Sequence, residues 1–321
     1  MAMTVWLSIL AGLVLLALGG EWLVRGTVGI ARRAGVSPLL AGLVIVGFGT
    51  SAPELVTSLQ AALSGSPDIA VGNVVGSNIA NILLILGVSA VIIPLPIAPP
   101  AFYRDGFALG MGTLAVLAGV LIGGFDRLSG ILLVMMLVTY IIAAYLTDKD
   151  RHDVEAERHE RNQKQKPDKG QRLLLLVPMT AAGIAGVVFG AQFLVDGAVE
   201  LARGWGVSEA VIGLTIVAAG TSLPELVACI AAALKKEPDV ALGNIVGSGI
   251  YNIFGILGMT ALVHPLAAPA QIANFDVWVL VGTTAMLLAF LRTGWTIHRH
   301  EGIAFLGAYA LYIAWLATGA A

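Results

Sequence analysis

The segment Gly49-Thr50-Ser51-Ala52-Pro53-Glu54-Leu55-Val56 returns 171 residues later as Gly220-Thr221-Ser222-Leu223-Pro224-Glu225-Leu226-Val227. The correspondence runs without a gap from 47–87 onto 218–258, and 24 of those 41 positions are identical. Both copies place a proline, a carboxylate and two hydroxyls inside a long apolar stretch. An ionisable side chain at the centre of a membrane span costs roughly 2.5–3.5 kcal/mol on insertion scales, so it is a functional candidate by default. Two of them, at matching positions of a duplicated chain, point to an ion site between two halves.

Composition sets the solvent. Of 321 residues, 58% are hydrophobic and 12% charged, about half the charge usual in a soluble domain. The apolar runs reach the ~20 residues that a helix needs to cross the hydrocarbon core. The expected fold class is therefore an all-α membrane protein. The net charge of −2 carries little information, because the charges sit in the connections. The partners expected are small cations and the lipid bilayer, not nucleic acid. The single cysteine, Cys229, rules out an internal disulfide and falls where the first copy has Ser58; it reads as a small packing residue. Residues 4–18 lack a basic segment before them and flow into Glu21-Trp22-Leu23-Val24-Arg25, which matches Gln192-Phe193-Leu194-Val195-Asp196 at the same offset. They are expected to be a repeat element and not a cleaved leader.

Apolar runs broken by glycine, proline and charge give ten expected spans: 3–31, 37–64, 69–93, 103–123, 128–146, 173–202, 209–234, 240–263, 273–292 and 301–319. Residues 147–172, with 8 Lys/Arg and 7 Asp/Glu, read as a mobile cytoplasmic linker between a first repeat (1–146) and a second (173–321). With both termini outside, 15 of the 18 basic residues fall on the cytoplasmic side and only Arg127 and Arg203 outside, as the positive-inside rule requires. Five spans per half then make the halves enter the membrane from opposite sides. Inverted-topology repeats with broken helices at the centre belong to secondary transporters that expose one site alternately to each face. Spans one and six are the longest and carry no ligand candidates, so they are the expected moving pair.

Pro53 has no amide hydrogen, and Gly47 and Gly49 loosen the turn before it, so the second span should break there and free carbonyl oxygens near Gly47. Broken backbone at membrane depth is tolerated where it lines a cavity. Thr50 and Glu54 are four apart and share a helix face, with Ser51 beside them. The third span adds Ser77 and Asn81, also four apart. The second half repeats the set with Ala218, Thr221, Ser222, Glu225, Ser248 and Asn252. Together they offer two carboxylates, two amides and six hydroxyls, with no histidine or thiolate. Such an all-oxygen shell suits a hard cation; Ca²⁺ takes about 6–8 oxygens, whereas zinc, copper or iron favour imidazole or thiolate. Two carboxylates neutralise one divalent ion. Asn73 and Asn244 read as equally able to cap helix fragments. Asn78, matched by Gly249, is not expected to be a ligand in both halves. Glu21 and Asp196 are not duplicated as acids and read as structural.

The motifs Gly-Thr-Ser-Ala-Pro-Glu at 49–54, Gly-Asn-Val-Val-Gly-Ser-Asn-Ile-Ala-Asn at 72–81, Gly-Thr-Ser-Leu-Pro-Glu at 220–225 and Gly-Asn-Ile-Val-Gly-Ser-Gly-Ile-Tyr-Asn at 243–252 resemble the two α-repeats of the sodium/calcium exchanger family. The resemblance spans nearly the whole chain. It implies Ca²⁺ transport driven by Na⁺ entry, with Ca²⁺ and Na⁺ as cargo and no resident cofactor or enzymatic activity. It also implies that Glu54 and Glu225 hold Ca²⁺ at the centre. Thr50, Ser51, Ser77, Thr221, Ser222 and Ser248 would complete flanking Na⁺ sites with the main-chain oxygens of Gly47 and Ala218, and Asn81 and Asn252 would lie in the middle. Gly249 and Tyr251 depart from the usual pattern. Relatives that also use K⁺ tend to carry an acid at the position of Asn252, so K⁺-independent transport is implied. The short linker leaves no room for the Ca²⁺-sensing domains of larger relatives.

An H⁺/Ca²⁺ antiporter of the same fold stays open at this point, because carboxylates carry either ion. A passive cation channel is the reading from a second class, although channels are usually oligomers around a shared axis. An intramembrane hydrolase using Ser51 or Ser222 lacks a positioned base. One chain holds both half-sites, so a monomer suffices.

Overall fold

The computed structural model describes residues 2–162, 173–205 and 218–317. The first half opens with α1 (Ala2–Ala34), followed by α2 (Pro38–Thr50) and α3 (Ala52–Leu63), which meet at a 43° bend. Then come α4 (Pro67–Ile92), α5 (Pro99–Leu121) and α6 (Arg127–Asn162). The second half runs through α7 (Leu173–Gly204), α8 (Ala218–Thr221), α9 (Leu223–Leu234), α10 (Pro238–Val263), α11 (Ile272–Gly294) and α12 (Arg299–Ala317). Four two-residue strands lie at helix ends: β1 (Leu95–Pro96), β2 (Gly124–Phe125), β3 (Leu266–Ala267) and β4 (Thr296–Ile297).

The halves are interlocked and not merely adjacent. β1 pairs with β4 and β2 with β3, both antiparallel, so the first strand of each half pairs with the second strand of the other. Thr113 and Thr284, 171 residues apart, share a hydrogen bond of 3.0 Å. Asn78 likewise faces its counterpart: a Cβ on Gly249 would lie 3.0 Å from Asn78 Oδ1. Equivalent residues of the two halves thus touch each other, and a second amide at 249 would compete with Asn78 for that space. This accounts for the departure at Gly249.

The two longest unbroken apolar helices, α1 and α7, cross backbone to backbone. A Cβ on Gly12 would stand 2.8 Å from Gly190 O, and one on Gly19 would stand 3.0 Å from Gly183 O. These two pairs exchange under the 171-residue shift. In lipid, where apolar surface alone does not drive helices together, small residues that let backbones approach hold such a pair. α4 and α10 form the centre: 67% and 83% of their most apolar stretches are buried, against 28–39% for the other helices long enough to span. Trp6, Leu10 and Leu13 on α1, Leu132 and Met135 on α6, and Leu311 on α12 are exposed, as befits faces turned to lipid.

Among the described residues, seven helices are long and apolar enough to cross a membrane, and up to eight if α2 and α3 count as one bent span. The ten-span expectation differs at two places. Residues 209–217 of the expected seventh span lie outside the described residues, leaving the twelve-residue α9. The tenth, α12, begins with Arg299, His300 and Glu301, which dilute its apolar character.

Within the expected linker, 147–162 continue α6 as helix to Asn162; 163–172 lie outside the described residues. Glu, Lys and Arg are good helix formers, so polarity alone does not end a helix. Asp148 in this stretch is 8% exposed. It accepts from Ser37 N and Ser37 Oγ, both at 2.6 Å, while Ser37 Oγ accepts from Leu40 N and caps α2.

Candidate ion-binding site

Each half breaks its second helix at a serine. Ser51 (φ −84°, ψ 8°) separates α2 from α3, and Ser222 (φ −92°, ψ 3°) separates α8 from α9. Pro53 and Pro224 sit in the first turn of the new helix, where the missing N–H would have been unpaired in any case. Glu54 and Glu225 occupy the same first turn, the positive end of the helix dipole.

Both carboxylates are withdrawn from solvent, Glu54 at 2% and Glu225 at 1% exposure. Thr50, Ser51, Ser77, Asn81, Ser222, Ser248 and Asn252 are buried too. Gly47 is buried and Thr221 half-buried; Ala218 opens α8. Three contacts join the halves here. Ser51 Oγ donates to Glu225 Oε1 at 2.8 Å, Ser248 Oγ donates to Gly47 O at 3.1 Å, and Thr50 Oγ1 donates toward Asn244 Oδ1 at 3.3 Å. Close approach of α2 and α10 makes this possible, since a side chain on Gly247 would collide with Leu43 O.

The amides come from widened helical turns. Asn81 opens the π-helical stretch Asn81–Leu86 of α4, and Asn252 lies in Tyr251–Leu257 of α10. Single π turns inside α-helices recur at functional sites. α3 packs on the π turn that carries Asn252, and α9 on the one that carries Asn81. Each carboxylate helix therefore lies against the amide segment of the opposite half. On these four segments Glu54 Oε2, Glu225 Oε2, Asn81 Oδ1 and Asn252 Oδ1 are buried with no hydrogen-bond partner. A buried unsatisfied polar atom costs about 1–3 kcal/mol, and more when charged. A bound cation would remove that penalty from each of these oxygens that it reaches. Among the described residues no group of three His, Cys, Asp or Glu comes together, so any ion here rests on two carboxylates and neutral oxygens.

The expected free carbonyl at Gly47 is not free. Gly47 O accepts from Ser51 N at 3.2 Å and from Ser248 Oγ at 3.1 Å. Only in an unbroken helix would an N–H at position 53 have reached a carbonyl, and then that of Gly49 and not of Gly47. Asn73 and Asn244 are more than caps: Asn73 Nδ2 donates to Glu54 O and Asn244 Nδ2 to Glu225 O, both at 3.2 Å. Their one visible signal in the sequence is the 171-residue repeat. Glu21 pairs with Arg25 and, at 2.6 Å, with Lys235, in keeping with a structural role.

A family model described as sodium/calcium exchanger protein matches residues 4–146 and 175–318. The chain belongs to the sodium/calcium exchanger family. This family consists of membrane transporters and not enzymes. The exchanger chain is 33% identical over 349 residues to the sodium/calcium exchanger MaX1 of Methanosarcina acetivorans, covering 96% of this chain and 97% of that one. It is 34% identical over 316 residues to the inner membrane protein YrbG of Escherichia coli, covering 96% and 95%. Its fold is similar to a solved structure of the sodium-calcium exchanger NCX_Mj, soaked with 10 mM Na⁺ and zero Ca²⁺, with a TM-score of 0.85, 32% identity and coverage of 98% and 99%. The other departure in the exchanger's repeats, Tyr251, stacks on Phe48 with ring centroids 4.4 Å apart. The counterparts of these two aromatics are Ala80 and Ala219, so this stack belongs to one half only.

Proposed function

We propose that the chain is a secondary antiporter that exchanges Ca²⁺ for Na⁺ across the membrane by alternating access, without a requirement for K⁺. The observation that carries this reading is the set of four unpartnered buried oxygens on Glu54, Glu225, Asn81 and Asn252, two from each half, beside hydroxyls that cross between halves. Ca²⁺ would take the two carboxylates. Thr50, Ser51, Ser77, Thr221, Ser222 and Ser248, with the main-chain oxygen of Ala218, would serve Na⁺ on either side; Gly47 O, which accepts from Ser51 N and Ser248 Oγ, would join them only on release of one of those bonds. The ions are cargo and the protein holds no other cofactor.

Ten spans in inverted repeats, with the termini outside and 147–172 cytoplasmic, agree with the contacts between helix ends. Ten spans put β1 and β4 on the same side, β2 and β3 together on the opposite side, and Ser37 with Asp148 on the side of β1. All three contacts are present. Dropping the seventh span would place β1 and β4 on opposite faces. One chain carries both half-sites, so a monomer is sufficient.

The experiment is ion flux in vesicles containing the purified chain. Ca²⁺ uptake that follows an outward Na⁺ gradient, and persists when the pH gradient is collapsed, supports the proposal. Uptake that follows pH jumps alone would make it an H⁺/Ca²⁺ antiporter. Equilibration of Ca²⁺ with no counter-ion would make it a channel.

A further inference from the structure

The buried amide of Asn244 has every hydrogen-bonding capacity directed at the ion-site helices. It is fully buried on α10. One Nδ2 hydrogen goes to Glu225 O at 3.2 Å and the other to Cys229 Sγ at 3.0 Å. Its Oδ1 lies 3.3 Å from Thr50 Oγ1 of the other half. Asn73 builds the same clamp one repeat earlier, to Glu54 O at 3.2 Å and to Ser58 Oγ at 2.9 Å. All three positions of the clamp correspond under the 171-residue shift.

Thr50 gives this arrangement a chemical consequence. Its hydroxyl has one proton and three acceptors within reach: Val46 O at 3.0 Å, Gly47 O at 3.4 Å and Asn244 Oδ1 at 3.3 Å. When the Thr50 oxygen turns its lone pairs to a cation, the proton must point away from the ion. Of these three acceptors Asn244 Oδ1 is the one that comes from the opposite half, while its Nδ2 holds the first turn of the helix that carries Glu225.

We propose that Asn244 is a positioning residue for ion exchange: through the Glu225 carbonyl and the Thr50 hydroxyl it sets the spacing of the two halves' ion ligands, and Asn73 holds the first turn that carries Glu54. The inference rests on the antiporter reading above. A purely structural amide would hold α9 to α10 by any contact. This one spends both hydrogens and its oxygen on Glu225, the thiol one turn later, and the partner half's Thr50.

The test uses the full chain in vesicles, with Na⁺-driven uptake of Ca²⁺ measured for wild type, Asn244→Ala, Thr50→Val and the double variant. Asn244→Ala is expected to raise KM for Ca²⁺ about tenfold, the weight of one to two lost hydrogen bonds at a charged site, with Vmax little changed. Added to Thr50→Val, it should cost less than the product of the single effects, because both act through one contact. Asn73→Ala, at the equivalent and only half-buried position of the first half, supplies a second readout that survives if Asn244→Ala does not fold: losing its bond to Glu54 O should likewise raise KM for Ca²⁺ with Vmax little changed. A KM within twofold of wild type for either variant overturns the inference and leaves the antiporter reading standing. Wild-type vesicles with no Na⁺-driven uptake overturn both.

Discussion

Replacing Glu225 by Gln removes one of the two negative charges while keeping side-chain size and the acceptor for Ser51 Oγ, which sits 2.8 Å from Glu225 Oε1. The variant should therefore insert and fold. At 1% exposure the group is screened by little water, and its Oε2 has no protein partner, so the lost charge is not replaced locally. Removing one partner of a buried ion pair costs about 3–5 kcal/mol. That is a loss in Ca²⁺ affinity of roughly 200- to 5,000-fold. The glutamine amide also brings two hydrogens to where an ion would sit. Radiolabelled Ca²⁺ binding to the detergent-purified variant, alongside flux in vesicles, reads the effect. A Glu225→Gln protein that is monodisperse and binds Ca²⁺ within about fivefold of wild type would refute the assignment of this carboxylate to the ion. Glu54→Gln should behave in the same way.

The remaining expectations concern coupling, motion and stability. Exchange should proceed at equal rates with and without K⁺, because Asn252 adds no third negative charge that calls for compensation; an absolute K⁺ requirement would contradict this. Cross-linking α1 rigidly to α3 should stop exchange and leave Ca²⁺ binding intact if the glycine-packed pair of α1 and α7 is the moving element; undiminished exchange places the motion elsewhere. Gly183→Leu should overpack the crossing at Gly19 and cost at least 1–3 kcal/mol, seen as a lower melting temperature in detergent; unchanged stability would mean that the crossing is looser than described. Ser37→Ala should lose the cap of α2 and one partner of Asp148, a cost of about 1 kcal/mol, with KM for Ca²⁺ unchanged.

The parts of this protein legible in its sequence are those where lipid leaves few options. A carboxylate in an apolar run has to be explained, and doubling it fixed attention on Glu54 and Glu225 before any geometry was known. The breaks at Ser51 and Ser222 were readable from Pro53 and Pro224, two residues on, because a missing amide hydrogen is a property of the residue. The π turns at Asn81 and Asn252 were not, since they arise from one extra residue in a turn and carry no residue-type signature. Asn244 looked like a helix cap because its partners, Thr50 and Glu225, come from other segments. The extension of α6 past residue 146 was hidden by the reading of charge as linker, although Lys, Arg and Glu favour helix once they face water. The two strand pairs are set by contacts more than 140 residues apart, which no local pattern reports.

The shared site is tested most directly by diffraction from crystals grown with Ca²⁺, using the anomalous signal of the ion. One peak is expected within about 2.3–2.6 Å of carboxylate oxygens from both Glu54 and Glu225, absent in crystals of Glu225→Gln at the same Ca²⁺ concentration. A peak bound to one half only, or one elsewhere in the membrane region with these carboxylates unliganded, would contradict a single site built by two halves.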